Sequence, residues 1–273
     1  MYKRMNEQLQ KEGEMELVTG ASSGIGLAYA RELARRGYDL LLVSNEQEQI
    51  GTVAEELAAA FGVKTIPLCM DLARSEAARE LYEYCEREKL QIGILVNNAG
   101  IFFFDDLTEV APERIETMLL LHIRTVTLLC RYFGAAMKRR RAGYILNMSS
   151  LSAWTPAPGI SVYAASKSYI RKFSQMLRYE LHQYGVGVTT VCPGAIATGL
   201  YNLSDYYQRL ALRLGVMMKP ERLARKGLRA MFARRDYILP GAVNRFFVLA
   251  LYLLPVQLIY YIKEHTKLYR YGR

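Results

Sequence analysis

The chain has 273 residues, of which 51% are hydrophobic and 23% are charged. This length and composition indicate one large globular domain and exclude disordered, collagen-like and disulfide-scaffold proteins. The formal net charge is +10, and it is concentrated in residues 205–273, which carry 14 Lys and Arg against four Asp and Glu. We therefore expect a neutral body with a basic C-terminal end.

The cysteines and the N-terminus bear on the compartment. The four cysteines, Cys69, Cys85, Cys130 and Cys192, are scattered, with no C-x-x-C pair and no histidine at metal-ligand spacing. We expect no metal site and a reducing, intracellular compartment. The first eleven residues are too polar for a secretory signal, so we expect no export and a cytoplasmic location.

Short apolar runs alternate with longer amphipathic stretches, the pattern of successive strand–helix units. The predicted strands are 16–18, 39–44, 64–70, 92–97, 143–147 and 187–192. The predicted helices are 26–36, 47–61, 75–88, 112–139 and 162–184. Right-handed crossovers place helices on both faces, so we expect an α/β fold with a doubly wound parallel sheet in three layers. The alternation stops after residue 198, where we expect a helical appendage.

The first strand leads directly into TGASSGIG at residues 19–26, after which a helical pattern begins. Glycines let the backbone turn tightly and approach a pyrophosphate, whose charge is stabilised by free N–H groups at a helix N-terminus. The strand and helix on either side favour a dinucleotide-binding loop over an ordinary tight turn. The glycine spacing is G-x-x-x-G-x-G, which differs from the common dinucleotide fingerprint.

Four more motifs follow in order: DL at 71–72, NNAG at 97–100, YAASK at 163–167 with Ser150 thirteen residues before it, and PGAIAT at 193–198. With the glycine loop, they make the chain resemble the short-chain dehydrogenases/reductases from residue 19 to residue 198. The resemblance implies a Rossmann fold and a nicotinamide cofactor. From the charge distribution and the end of the strand–helix alternation, we expect residues 1–204 to form the dinucleotide-binding catalytic domain and residues 205–273 to be an extension of that domain. The cofactor-binding residues expected on these grounds are Gly20, Ser22, Ser23, Gly24, Ile25, Gly26, Ser44, Asn45, Asp71, Leu72, Asn98, Ala99, Gly100, Tyr163, Lys167, Pro193, Gly194, Ile196 and Thr198.

Tyr163 and Lys167 are four residues apart, so they share one face of a helix. A nearby ammonium favours the phenolate and lowers the pKa of a tyrosine, which is otherwise a poor acid or base at neutral pH. We expect Tyr163 to act as the acid/base, Ser150 to hold the substrate oxygen, and Lys167 to tune Tyr163 and bind the ribose. Ser149 is the alternative serine.

His122 departs from the family pattern, which usually has Asn at this position to support a water-mediated proton path to the lysine. We expect His122 to serve in such a relay, because an imidazole can titrate near neutral pH. The alternative is a histidine packed within its helix. His182 and His265 have no supporting neighbours, and we expect both on the surface.

The end of the second strand bears on cofactor choice. Ser44 stands where NAD enzymes carry an acid for the ribose 2′-hydroxyl, which favours NADP(H) and keeps NAD(H) as the alternative. Two neighbours weaken this preference: Asn45 replaces an Arg that is frequent in NADP enzymes of the family, and Glu46 adds a negative charge.

Beyond residue 219 the chain turns basic and then apolar. Residues 219–235 fit an amphipathic helix with a basic outer face, and residues 246–262 are uncharged but include Pro255. Seventeen residues are short for a membrane span. Two alternatives stay open for the C-terminus: an interfacial anchor on an anionic membrane, or a lid over the cleft or against a second subunit.

The loops after the strands at 101–104, 151–156 and 200–203 are aromatic or aliphatic. We expect an NAD(P)H-dependent oxidoreductase that interconverts a ketone and a secondary alcohol on an apolar, lipid-like substrate of 3-oxoacyl, sphingoid or steroid type. The alternative is a non-catalytic dinucleotide-binding protein of the same fold at a membrane surface. We expect a homo-oligomer and no nucleic-acid partner, since no nucleic-acid motif accompanies the basic residues.

Overall fold

Seven parallel strands form the central sheet of the computed structural model, which describes residues 14–155, 158–197, 217–241, 243, 244, 246, 248, 250 and 255–265. The strands in chain order are β1 Glu14–Thr19, β2 Leu40–Ser44, β3 Thr65–Cys69, β4 Gln91–Asn97, β5 Gly143–Met148, β6 Val186–Val191, β7 Ala195–Ile196, β8 Met217–Met218 and β9 Tyr237–Ile238. The main sheet has the order β3-β2-β1-β4-β5-β6-β9, and β7 pairs with β8 separately. The six predicted strands are all confirmed.

The helices lie on both faces of this sheet. In chain order the described helices are α1 Gly24–Ala34, α2 Gln47–Phe61, α3 Ala77–Arg87, α4 Pro112–Leu119, α5 Val126–Arg140, α6 Ser161–His182, α7 Pro220–Phe232 and α8 Val256–His265, with short 3-10 turns at Leu107–Glu109 and Leu151–Ala153. Of these, α1, α2, α3, α5, α6 and α7 pack on the sheet. One core cluster joins α1, α2 and α7 to one side of the sheet, and another joins α3, α5 and α6 to the other. Successive residues of β2 point to opposite clusters, Leu42 to the first and Val43 to the second. The doubly wound, three-layer fold is thus confirmed.

The predicted helix 112–139 is interrupted in the structure. A π-helical turn, Leu120–Thr125, separates α4 from α5. Such turns are rare and are frequent at functional sites. The spacing of apolar residues predicts one continuous helix here, because a single turn of altered pitch barely changes that spacing. This turn carries His122.

The chain beyond residue 198 contributes more to the sheet than a helical appendage would. Tyr237–Ile238 adds the seventh strand beside β6, and α7 packs against α1 in the first core cluster. Two residues are too few to produce the alternation that predicts a strand, so no pattern in the sequence indicates β9. The predicted boundary between residues 204 and 205 lies within 198–216, outside the described residues.

In the part of the chain that the structure describes, no helix combines the length and hydrophobicity that crossing a membrane requires. The topology reverses direction between β1 and β4, the neighbours at the centre of the sheet. In an open parallel sheet this reversal opens a crevice beyond the carboxyl ends of the strands, which is where ligands bind. The predicted motifs follow β1, β2, β3, β4, β5 and β6 at that edge, except YAASK, which lies within α6.

Candidate active site

A tight turn connects β1 to α1. Gly20 and Gly24 have φ of 64° and 55°, in the left-handed region that favours glycine. A Cβ on Gly26 would lie 1.9 Å from the Gly20 carbonyl oxygen, so only glycine fits there. Ser23 is the N-cap of α1 and makes no side-chain cap hydrogen bond with a described residue. The first N–H groups of α1 can therefore bind phosphate oxygens, as the dinucleotide prediction requires.

Asn98, from the loop after β4, holds this turn in place. Its Nδ2 donates to the carbonyl oxygens of Thr19, at 3.0 Å, and Gly20, at 3.3 Å. Its backbone N–H donates to Thr19 Oγ1 at 2.9 Å. These bonds join the two loops on either side of the crevice, so the NNAG motif stabilises the glycine turn.

The larger of two cavities at this edge has a volume of about 510 Å³ and begins at the glycine turn. Within it, Ser44 Oγ donates to Ser22 Oγ at 2.9 Å, and the Glu46 N–H donates to Ser44 Oγ at 3.2 Å. Thr125 Oγ1 donates to the Leu72 carbonyl oxygen at 2.8 Å and fixes the loop after β3. The predicted cofactor residues on its wall are Gly20, Ser22, Ser23, Gly24, Ile25, Ser44, Asn45, Asp71, Leu72, Asn98, Ala99 and Gly100.

The second cavity, of about 70 Å³, lies next to the first, because Ile25, Asn98, Gly100 and Ile101 line both. The other predicted residues on its wall are His122, Ser149, Ser150, Tyr163, Lys167, Pro193, Gly194 and Ile196. Of the predicted cofactor-binding residues, Gly26 is absent from both walls because it closes the turn, and Thr198 lies outside the described residues.

Lys167 is 6% exposed and lies one helical turn beyond Tyr163 on α6. Its Nζ donates to the Met148 carbonyl oxygen at 3.1 Å and lies 5.5 Å from the centroid of the Tyr163 ring. Burial lowers the pKa of Lys167 to about 8, because the charged form loses its hydration. The ammonium therefore predominates at neutral pH, close enough to stabilise a phenolate.

The two candidate serines have different partners. Ser149 Oγ donates to the Lys167 carbonyl oxygen at 2.7 Å, which commits its proton to the backbone of α6. Ser150 Oγ instead accepts from the Ser152 N–H at 3.2 Å, so its proton can be donated to a ligand. This difference supports Ser150, as predicted, over Ser149.

His122 is 1% exposed and bonded through both ring nitrogens. Its Nε2 accepts from the Ile101 N–H at 3.0 Å, and its Nδ1 lies 3.0 Å from Ser166 Oγ. Burial, and then the charge of Lys167, holds the pKa of His122 well below its usual range. These contacts support the packed-histidine alternative over the relay. His182 and His265 are exposed.

Aromatic side chains surround Tyr163. Phe102 meets its ring edge-to-face at a centroid distance of 5.0 Å, and His122 does so at 5.8 Å. Phe103 was expected among the cleft-lining loops, but it lines neither cavity and is buried with Val110 and Met118 in a cluster against which Ile101 and Tyr163 pack. Residues 156–157 and 200–203 of the other expected walls lie outside the described residues.

The sequence does not predict that Ser166 or Met148 contributes to the site, and it places Ile101 on an apolar cleft loop without predicting its bond to His122. Ser166 lies inside the YAASK motif, but its partner His122 is 44 residues away. Ile101 and Met148 contribute backbone groups, which any residue type can provide. No side-chain signal could therefore have indicated these contacts.

The family model described as short chain dehydrogenase matches residues 14–205. The very-long-chain 3-oxoacyl-CoA reductase of Anas platyrhynchos is 35% identical over 199 residues, which cover 70% of this chain and 62% of that protein. The inactive hydroxysteroid dehydrogenase-like protein 1 of Homo sapiens is 32% identical over 206 residues, which cover 74% and 61%. The chain spans about three fifths of the length of these curated relatives.

A solved structure gives a likeness over nearly the whole chain. The short-chain dehydrogenase from Sphingobium yanoikuyae in complex with NADPH has a TM-score of 0.76 and 28% sequence identity, and the match covers 95% of this chain and 98% of that one. The chain belongs to the short chain dehydrogenase family, a family of oxidoreductases that bind a nicotinamide dinucleotide.

Proposed function

We propose that the chain is an NADPH-dependent reductase that converts a ketone to a secondary alcohol on an apolar, lipid-like substrate. One observation carries the proposal: Ser150, Tyr163 and Lys167 line one small cavity, and this cavity adjoins the larger one at the glycine turn, since four residues line both. A proton donor, a hydrogen-bond donor and a buried cation thus surround the space where a carbonyl oxygen would bind.

When bound, the reduced nicotinamide supplies a hydride to the carbonyl carbon. Ser150 Oγ–H donates a hydrogen bond to the carbonyl oxygen and holds it in place. Tyr163 Oη then gives its proton to this oxygen as negative charge develops on it, which leaves a phenolate. The Lys167 ammonium stabilises the phenolate until a proton from solvent restores the phenol. Tyr163 therefore carries the acid/base step in this proposal.

The proposed cofactor preference rests on the residues at the C-terminal end of β2. Ser22 and Ser44 offer hydroxyls, and no carboxylate stands at position 44 to repel a 2′-phosphate. Glu46 lines the same cavity and opposes that phosphate, so we expect a modest preference for NADPH over NADH. NADP-bound relatives of known structure support this choice.

Glu46→Gln tests this preference, because it removes the opposing charge and keeps the backbone N–H that donates to Ser44. We expect the KM for NADPH to fall by roughly 3- to 10-fold, about 1 kcal/mol, while the KM for NADH hardly changes. Glu46 is the N-cap of α2, and Glu48→Gln, in the first turn of that helix but outside the cavity, is the control. A lower KM for both NADPH and NADH in this variant, or a preference of the wild type for NADH, would contradict the NADPH proposal.

The substrate class rests on the aromatic surroundings of Tyr163 and on the relatives. Phe102 lies against Tyr163, and Ile101 lines both cavities. Curated relatives include a very-long-chain 3-oxoacyl-CoA reductase and a 17-beta-hydroxysteroid dehydrogenase type 3. An apolar ketone fits these surroundings better than a sugar.

NADPH oxidation across 3-oxoacyl thioesters of increasing chain length, steroid ketones and small sugars tests the substrate class. We expect kcat/KM to rise with apolar area. A best substrate that is small and polar would contradict the proposal. One relative carries the name inactive, so the panel also tests the non-catalytic alternative: tight NADPH binding with no turnover of any ketone would support it.

A further inference from the structure

The buried contacts of His122 form a series of hydrogen bonds from the loop after β4 to helix α6. Ile101, on the loop after β4, donates its N–H to Nε2. On the opposite side of the ring, Nδ1 meets Ser166 on α6, and Ser166 Oγ donates to the carbonyl oxygen of Tyr163 at 2.8 Å. His122 therefore joins a loop that lines both cavities to the turn of helix that carries the tyrosine.

These bonds assign the tautomer. A backbone N–H can only donate, so Nε2 must present a lone pair to Ile101. The proton of a neutral imidazole then lies on Nδ1 and points to Ser166 Oγ. The single hydrogen of Ser166 is already directed to the Tyr163 carbonyl, so the serine oxygen accepts from Nδ1. Each proton in this series of hydrogen bonds therefore has a single acceptor.

A second proton on the ring would find no acceptor at Nε2, which already accepts from the Ile101 N–H. A Cβ on Gly100 would lie 2.9 Å from His122 Nε2, so the loop is in close contact with the ring. A proton on Nε2 would point at the Ile101 N–H. Lys167 and Tyr163 are the titratable groups that line the cavity with His122, and a protonated imidazole would add a second buried cation beside Lys167.

The π-helical turn also makes contacts with the rest of the cofactor crevice. Leu121 lines the larger cavity, and Thr125 Oγ1 holds the Leu72 carbonyl on the loop after β3. One turn of helix therefore contacts the loops after β3 and β4 as well as α6.

We propose that His122 is a positioning residue for Tyr163: its neutral Nδ1–H ring fixes the distance between the loop at Ile101 and helix α6 at Ser166, and it does not conduct protons. This inference rests on the proposed function, in which Tyr163 is the acid/base. It differs from the relay expected for this position, because both ring nitrogens are bonded within the protein.

The tautomer is tested by long-range ¹H–¹⁵N NMR on the ¹⁵N-histidine protein, whose three histidines include two exposed ones as internal references. We expect His122 to show a protonated Nδ1 and an unprotonated Nε2 from about pH 6 to about pH 9. Titration of His122 in this range, or a proton on Nε2, would overturn the inference. This readout needs no turnover, so it is independent of the substrate.

Kinetics test the positioning role. We expect Ser166→Ala to lower kcat by roughly 10- to 100-fold, because a small misplacement of a catalytic group has effects of this size. Its Kd for NADPH should not change, since Ser166 does not line either cavity. His122→Ala should lower kcat by a similar factor and also weaken NADPH binding, because it releases Ile101.

Two controls and a double variant complete the test. Ser168→Ala removes another α6 hydroxyl that bonds a backbone carbonyl, and His182→Ala removes an exposed histidine from the same helix; both should keep wild-type kcat. The double variant at 122 and 166 should be no slower than His122→Ala, since the two residues act as one unit. Wild-type kcat in Ser166→Ala, or multiplicative losses in the double variant, would overturn the positioning role. If the wild type reduces no ketone, the proposed function fails while the NMR result still decides the His122 inference.

Discussion

Burial determines the protonation state of several side chains in this fold. Lys167, His122 and Glu16 are all nearly inaccessible, and each is pushed toward its neutral form because water no longer stabilises the charge. For Lys167 the shift brings its pKa close to the physiological range, which serves the proposed chemistry. For Glu16 the structure shows no such use, so its burial should only cost stability.

Glu16→Gln should stabilise the protein at alkaline pH. Burial, and then the charge of Glu14, raises the pKa of Glu16 well above its usual range, so the folded state holds this proton more tightly than the unfolded chain. Its contribution to stability is therefore full at acid pH and is lost as the pH rises through the folded-state pKa. Gln keeps an acceptor for the Ile94 N–H and carries no charge.

We expect Tm of the Glu16→Gln variant to exceed that of the wild type by roughly 2–6 °C at about pH 8 and to match it near pH 4.5. Thermal unfolding followed by circular dichroism over this range measures the difference. Glu55→Gln, on the exposed face of α2, is the control and should show no such trend. A gain that is constant with pH would show that charge is not its cause.

Part of the site could be read at the residue scale from the sequence, and part could not. Gly20, Ser150 and Tyr163 lie within local motifs whose spacing alone specifies a turn or a shared helix face, so they were found. The link between His122 and Ser166 depends on how α6 packs against the π-helical turn. Such a long-range side-chain contact leaves no periodic trace in the sequence.

At the scale of elements, the less regular pieces carry the unexpected features. The six strands and their helices were predicted because apolar periodicity reports elements longer than a few residues. The π-helical turn and β9 were missed because each is short. Helix α7 was predicted as an amphipathic element, but its close packing on α1 depends on one glycine that the sequence does not single out.

Gly227→Ala tests this packing. A Cβ at Gly227 would lie 2.2 Å from Tyr29 Oη, and Tyr29 is fully buried in the core. We expect the free energy of unfolding to fall by about 1–3 kcal/mol, as is usual for overpacking. Urea denaturation of the variant measures this loss.

Two further variants make that test specific. Gly51→Ala, in α2 with no atom within 4 Å of the added Cβ, should gain about 0.5–1 kcal/mol from helix propensity. Tyr29→Phe added to Gly227→Ala removes the clashing hydroxyl, which has no hydrogen-bond partner among the described residues, and should recover part of the loss. Equal stability of the two glycine variants would contradict close packing of α7 on α1.

At the scale of the whole molecule, the basic, apolar end has exposed aromatic residues and an ion pair to the loop after β4. Phe246, Leu258, Tyr260 and Tyr261 are exposed on the described part of this end, and Lys263 Nζ lies 2.8 Å from Asp106 on the loop after β4. The exposed aromatic residues fit a membrane interface, while the ion pair fits a lid near the crevice. Oligomer formation stays a prediction.

We expect the protein to float with anionic liposomes and to stay in solution with neutral ones, since phenol rings and cations favour an anionic interface. Substituting Tyr260 and Tyr261, which are 60% and 58% exposed, with Ser should reduce flotation. Tyr179→Ser, on α6 and 62% exposed, is the matched control. If no variant changes flotation but the double substitution changes the KM for the ketone, the C-terminal helix is a lid.

The most direct test of the central claim is the rate of ketone-dependent NADPH oxidation by Tyr163→Phe, measured beside its Kd for NADPH. Removing the phenol oxygen removes the proton donor and leaves both cavities and Lys167 in place. We expect kcat to fall by roughly 10²- to 10⁴-fold with an unchanged Kd. A variant that binds NADPH and reduces the ketone at the wild-type rate would contradict the account of this site as a tyrosine-dependent reductase.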